Sequence, residues 1–210
     1  QRQAIRTSDR VANCGCYPVG FTLAVRPLIE AGLLRADAAL TVNAVSGYSG
    51  GGRKMIEAYQ ATASGEQADA GHPFCLYGLD GNHKHLAEMQ RFSGLHHAPL
   101  FVPSVSHSYC GMLTSTPVAA AGWTASGTTP QHVFDVWQSR YADEPFVQPV
   151  SPAEAGDQLR DGLFLDLDGA SLTNRLDLFV FGDPQIGLVL VGREDNLGKG
   201  ASGNAVQCLN

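Results

Sequence analysis

Nothing in these 210 residues is long and apolar enough to span a bilayer, and no charged-then-apolar leader opens the chain. There is no lysine–arginine cluster either. With 14 basic and 20 acidic residues the net charge is −6, so neither nucleic acid nor membrane is expected as a partner. Internal repeats and low-complexity tracts are missing, and the glycine-rich turn over 47–52 fits neither a Walker motif nor G-x-G-x-x-G. Cysteines are few, odd in number and irregularly spaced: Cys14, Cys16, Cys75, Cys110 and Cys208. That suits free thiols in a reducing compartment better than a disulfide framework, so the cytoplasm is the expected location. The one-residue gaps of Cys14-x-Cys16 and His83-x-His85 are shorter than ordinary zinc-ligand spacings, and no metal is expected. What remains is a globular composition, 44% apolar, able to bury one sizeable core.

Within it the most informative stretch is Asn13-Cys14-Gly15-Cys16-Tyr17-Pro18-Val19-Gly20. It sets a thiol between glycine and an aromatic ring just before a run of helical periodicity. A cysteine at a helix N-terminus has its thiolate favoured by free backbone N–H groups and the helix dipole, and the thiolate is the nucleophilic form. The competing reading is two small buried hydrophobes.

Apolar residues at Phe21, Val25, Leu28 and Ile29 predict a helix over 18–34, kinked or broken near Leu23 by Pro27. Helices are also expected over 54–60, 86–95, 131–141 and 199–210. Strands are expected over 38–45, 99–105, 111–120, 173–181 and 186–192, with a hairpin turn at 182–185 and a polar loop over 61–72. Adjacent strand pairs mixed with helices imply an α+β fold, a mixed and largely antiparallel sheet covered by helices on one face. The polar opening over 1–10 and the unterminated helix at 209–210 lead us to expect further residues on both sides.

Two further groups carry chemistry. His83-Lys84-His85 is followed by Glu88, which on a helix shares a side with His85 and is expected to orient its imidazole; the alternative is a solvated helix start. The other histidines (His72, His96, His97, His107 and His132) are taken as structural. The turn holding Ser46, Gly47, Ser49, Gly50 and Arg53 joins a strand to a helix and offers N–H groups and a guanidinium to an anion; a merely tight connection is the other reading. Around Lys199, small residues at a helix start would let a ligand or another backbone approach closely.

Taken in order, these motifs resemble the N-acetyl-γ-glutamyl-phosphate reductases across nearly the whole chain. Residues 13–20 are similar to that family's N-P-G-C-Y-P-T segment, 46–53 to S-G-x-S-G-A-G-R, and 83–89 to H-[RK]-H-x-x-E-[IM]. Residues 101–113 resemble its F-x-P…G-[MI]-L strand pair, and 195–210 its D-N-L-G-K-G-A-S-G-x-A-V-Q-N-L-N ending. The compact His-Lys-His form resembles the shorter subtype. The resemblance implies an enzyme of the aspartate-semialdehyde-dehydrogenase type, with the C-terminal domain fold of glyceraldehyde-3-phosphate dehydrogenase. It implies NADPH-dependent reduction of an acyl phosphate to a semialdehyde in arginine biosynthesis. Cys16 would carry a thioester, His83 would manage the proton, and His85 and Glu88 would shape the pocket, with the sequence leaving open which histidine takes which role. Ser46, Gly47, Ser49, Gly50 and Arg53 would face phosphate, and Asn196 and Lys199 the nicotinamide. A homo-oligomer, dimer or tetramer, is implied as well.

Two departures follow. Cys14 stands where the family usually has proline, and a Cys14–Cys16 disulfide would need a strained small ring. The family's opening dinucleotide-binding domain has no counterpart here. Residues 1–192 are therefore expected to be the catalytic and dimerisation domain, and 193–210 a helix returning to that missing domain, with the isolated chain inactive as a reductase. A thiol hydrolase or acyltransferase, or a non-catalytic oligomerisation module, are the alternatives.

Overall fold

The computed structural model describes residues 2–65 and 74–209. In chain order the elements are α1 (Arg2–Thr7), α2 (Cys16–Glu30), β1 (Thr41–Gly47), α3 (Arg53–Ala63), β2 (Phe74–Leu76), α4 (Leu86–Ser93), β3 (Leu100–Ser106) and β4 (Met112–Ala119). There follow α5 (Pro130–Tyr141), β5 (Val147–Pro149), α6 (Pro152–Ala155), β6 (Leu159–Arg160), β7 (Phe164–Leu165), β8 (Leu176–Asp183), β9 (Gly187–Glu194) and α7 (Gly203–Leu209). A 3₁₀ turn (Tyr48–Gly51) joins β1 to α3, and a π-turn (Gly198–Ser202) leads into α7.

Seven strands form one mixed sheet in the order β2-β3-β1-β4-β9-β8-β5. Pairs β1–β3 and β5–β8 are parallel and the other four antiparallel, so the α+β architecture and the predominance of antiparallel pairing are as expected.

Alternation along each strand sorts the two faces. Val42, Ala44, Met112, Val118, Leu176, Leu178, Val180, Leu188 and Leu190 point to one side. There they meet Phe21, Val25 and Leu28 of α2, Met89 of α4 and Trp137 of α5 in the main core. The opposite side carries a smaller cluster, Phe179 and Val191 with Leu113, Phe181 and Val189, covered only in part by α6 and the β6–β7 hairpin.

Helix α2 runs unbroken through Pro27, against expectation. A proline ring leaves the carbonyl four residues earlier without its donor, and here the Tyr141 hydroxyl of α5 donates to Leu23 O at 2.6 Å in its place. Beside it the Trp137 indole donates to Ala24 O at 2.8 Å. The 61–72 loop is displaced at its start, since α3 continues to Ala63; residues 66–72, and with them His72, lie outside the described residues, as does the final residue of the helix expected over 199–210. Helix α5 opens on a capping box in which Thr129 and His132 exchange hydrogen bonds, a second reason for its position.

Candidate active site

Cys16 is the first residue of α2, with Gly15 as the N-cap. Gly15 has φ of −69°, which any residue adopts, so its glycine is demanded by space. A Cβ there would run into the imidazole of His85. The Gly15 N–H donates to Glu88 Oε2 at 2.9 Å. Two members of the second motif thus grip the residue just ahead of the thiol. Glu88 does so through the backbone, and its described hydrogen bond is to Gly15 rather than to the histidine it was expected to orient. His85 caps α4, is buried, and has Nδ1 unpartnered. Burial, then His83 and Lys84, pull its imidazole down to about 4, so it is neutral at pH 7.

His83 stands behind His85, ring centroids 4.8 Å apart, and its Nδ1 accepts the His85 N–H at 3.2 Å. That bond assigns the neutral ring's proton to Nε2. Burial and then Lys84 lower this imidazole as well. Tyr17 floors the group: its ring meets both histidines and Phe101, and its hydroxyl accepts from Tyr77 at 2.8 Å.

The Cys16 thiol does not show the low pKa expected of a helix N-terminus. Burial, and next Glu194, push it up to about 11, while the N–H groups of Tyr17 and Cys16 and the charge of Lys84 pull the other way and lose. The resting sulfur is a protonated thiol that needs an acceptor at the moment of attack. Cys14 is raised to about 11 likewise and receives the Asn204 amide at 3.1 Å. All five cysteines are free.

The glycine-rich turn and the chain after β9 are stitched together. Asn196, 2% exposed, donates to Ser49 Oγ at 3.0 Å and accepts the Gly111 N–H at 3.0 Å. A Cβ on Gly50 would sit 3.1 Å from both the Asn196 amide and Ser46 Oγ, and Ser46 itself donates to Gly47 O at 2.9 Å. Asp195 accepts the N–H groups of Leu197 and Gly198 at 2.7 and 2.6 Å, fixing the π-turn. Lys199, 3% exposed, donates to Gln207 at 2.8 Å. Gly200, which sequence reading did not single out, lies where a Cβ would meet Cys16 Cβ at 2.8 Å. The close approach expected around Lys199 is therefore that of another backbone. Arg53 is exposed and paired with Glu57 at 2.6 Å along its own helix; no described contact joins it to Cys16. Among the described residues no cluster fit to hold a metal ion occurs, and no helix is long and apolar enough to cross a membrane.

Glu194 was also missed. The signal was available, because Leu188, Leu190, Gly192 and Glu194 share one parity of β9 and the first two are core residues.

Comparison with known proteins matches residues 16–196 to the family described as semialdehyde dehydrogenase, dimerisation domain. A protein of Nostoc sp. named N-acetyl-gamma-glutamyl-phosphate reductase 2 is 44% identical over 213 residues, covering 100% of this chain and 65% of its own length. The N-acetyl-gamma-glutamyl-phosphate reductase of Mesorhizobium japonicum is 39% identical, covering 99% of this chain and 65% of its own. The chain thus spans about two thirds of the length of these curated relatives. Among solved structures, aspartate semialdehyde dehydrogenase II from Vibrio cholerae superposes with a TM-score of 0.72 at 16% identity over 99% of this chain and 64% of that one, a likeness of fold. With the family matched over residues 16–196, this chain belongs to the semialdehyde dehydrogenases as their dimerisation domain.

Proposed function

We propose that the chain supplies the acyl-transfer centre of an N-acetyl-γ-glutamyl-phosphate reductase, an oxidoreductase of arginine biosynthesis in the cytoplasm. One observation carries this reading: Cys16 opens α2 while His85 and Glu88 together clamp Gly15, the residue before it. The names of relatives at 39–44% identity supply the substrate.

In the proposed step Cys16 Sγ attacks the acyl carbon, and its proton passes to a neutral imidazole. The bond from that carbon to the phosphate oxygen breaks, and inorganic phosphate leaves with the electron pair. A thioester on Cys16 remains. His85 is proposed as the acceptor in place of the expected His83 because its Nε2 edge lies against Gly15, the residue before the thiol. His83 holds the His85 backbone in place. Ser46, Gly47, Ser49 and Gly50 shape the wall of the site, and Arg53, freed from Glu57, would meet an anionic group.

NADPH is proposed as the reductant of the whole protein. Asn196 and Lys199, expected to face the nicotinamide, are both buried in this chain and bonded within it, Asn196 to Ser49 and Gly111 and Lys199 to Gln207. No hydride step is derived from them, and cofactor contacts are assigned to the part of the relatives' length outside this chain, toward which residues 193–210 would return. The chain alone is expected to acylate without reducing. As the matched dimerisation domain it is expected to pair with a second copy through the partly covered sheet face.

Incubating the chain with N-acetyl-γ-glutamyl phosphate and mapping peptides by mass tests the reading. An N-acetylglutamyl adduct on Cys16, removed by hydroxylamine and formed with one phosphate released per adduct, is expected. Cys16→Ser should abolish it, because an alkoxide is far harder to form than a thiolate. An adduct on Cys75, Cys110 or Cys208 instead, or none, overturns it.

A further inference from the structure

Strand β9 runs along the underside of α2. Gly192 comes so near that a Cβ on it would meet Gly20 Cα at 3.0 Å. Two residues on, and on the same face of the strand, Glu194 reaches up to the helix: its Oε1 is 3.5 Å from where a Cβ on Gly20 would stand. Gly20 follows Cys16 by one turn and shares its side of α2. The π-turn closes the other end against Cys16 through Gly200. Glu194 therefore lies in an enclosed space beneath the first turns of the nucleophile's helix.

It is fully buried, at 0% exposure, and neither carboxyl oxygen has a well-formed hydrogen bond, the Gly20 N–H being the one donor that bears on it. A lone buried carboxyl is costly, and nothing in the acyl-transfer step uses it. The groups facing it are Lys199 from the π-turn, its neighbour Asp195, and Cys14 and Cys16 at the start of α2. Further out, Glu88 bears on Cys14, Lys84 on Cys16, and Glu144 and Cys208 on Lys199. Burial first, with Asp195 adding to it, raises the Glu194 carboxyl to about 8 against the pull of Lys199 and the Gly20 N–H.

We propose that Glu194 is a positioning residue for Cys16: the space beneath α2 accommodates one negative charge at a time, on the Cys16 thiolate or on the Glu194 carboxylate. While Glu194 keeps its proton it is a neutral acid, and sulfur can bear the charge of attack. Once Glu194 ionises, the thiolate faces an anion through a medium with little water to screen it, and thiol ionisation is suppressed. The cost is relieved when the thioester forms, since the negative charge leaves with phosphate. This rests on the reading of Cys16 as nucleophile.

The test is the pH profile of Cys16 labelling by iodoacetamide, read by peptide mapping in the full chain, with Cys75 and Cys110 as internal references. In Glu194→Gln and in Glu194→Met, Cys16 should label about tenfold faster at pH 9, its half-maximal pH falling by about one. The profiles of Cys75 and Cys110 should not move, whereas a loosened fold would speed all of them. In the wild-type chain the infrared band of a protonated buried carboxyl should be present at pH 6 and lost by pH 10, a measurement that needs no variant. Failure to acylate Cys16 would sink the nucleophile reading and leave this profile still measurable. Wild-type Cys16 profiles in both variants, faster labelling of all the cysteines alike, or no protonated-carboxyl band at pH 6 would overturn the role of Glu194.

Discussion

Gly15 shows how a site is set by what a residue lacks. Its backbone is ordinary, and the missing side chain makes room for the His85 ring. Gly15→Ala should therefore leave the helix start intact and displace the imidazole. The expected result is a loss of about 100-fold in Cys16 acylation rate, the scale of a misplacement near an ångström, with about 1–3 kcal/mol of stability lost to the forced shift. Single-turnover phosphate release and thermal melting would measure the two, and acylation at the wild-type rate would remove His85 from the chemistry. At this scale the sequence revealed residue types well and their relations poorly. The Gly-Cys-Tyr and His-Lys-His pieces were legible as a thiol and its partners. That Glu88 would hold Gly15 N–H was not, because the bond crosses 73 residues. The thiol's raised pKa was hidden for a similar reason: helix position is local, whereas burial and Glu194 are contributed by distant segments.

Elements were legible where periodicity was long and mostly displaced by one to three residues at their ends. The short pieces β2, β5, α6, β6 and β7 were not, since two to four residues carry no period. The expected break in α2 failed because the rule about internal proline counts donors within the helix, and the replacement donor comes from α5. That substitution is testable. Removing the hydroxyl with Tyr141→Phe leaves the part-buried Leu23 O without this donor and should cost about 1 kcal/mol. In a Pro27→Ala background the restored N–H can satisfy the same carbonyl, so the same Tyr141→Phe change should cost clearly less. A double-mutant cycle by chemical denaturation would read the coupling directly. Additive effects would mean that Tyr141 contributes packing alone and that the helix tolerates Pro27 for another reason.

At the scale of the whole molecule the sheet divides the labour. One face, packed against α2, α4 and α5, holds the thiol and histidines on a fixed floor. The other leaves a concave apolar patch lined by Leu113, Ser115, Leu163, Leu165, Phe181 and Val191, with Leu163 75% exposed. Apolar surface of this kind on a chain matched to a dimerisation domain is where a second copy should sit. Ser115 is the position at which to ask, because it points into the patch from β4 without belonging to the main core. Ser115→Arg would set an unpaired charge in the middle of an apolar contact while leaving the monomer's packing alone. Sedimentation should then show the mass of one chain for the variant and two or more for the wild type. Association also stabilises by mass action, so the wild-type melting temperature should rise with protein concentration and that of Ser115→Arg should not. A variant that still sediments as the wild type does would place the contact between copies on another surface.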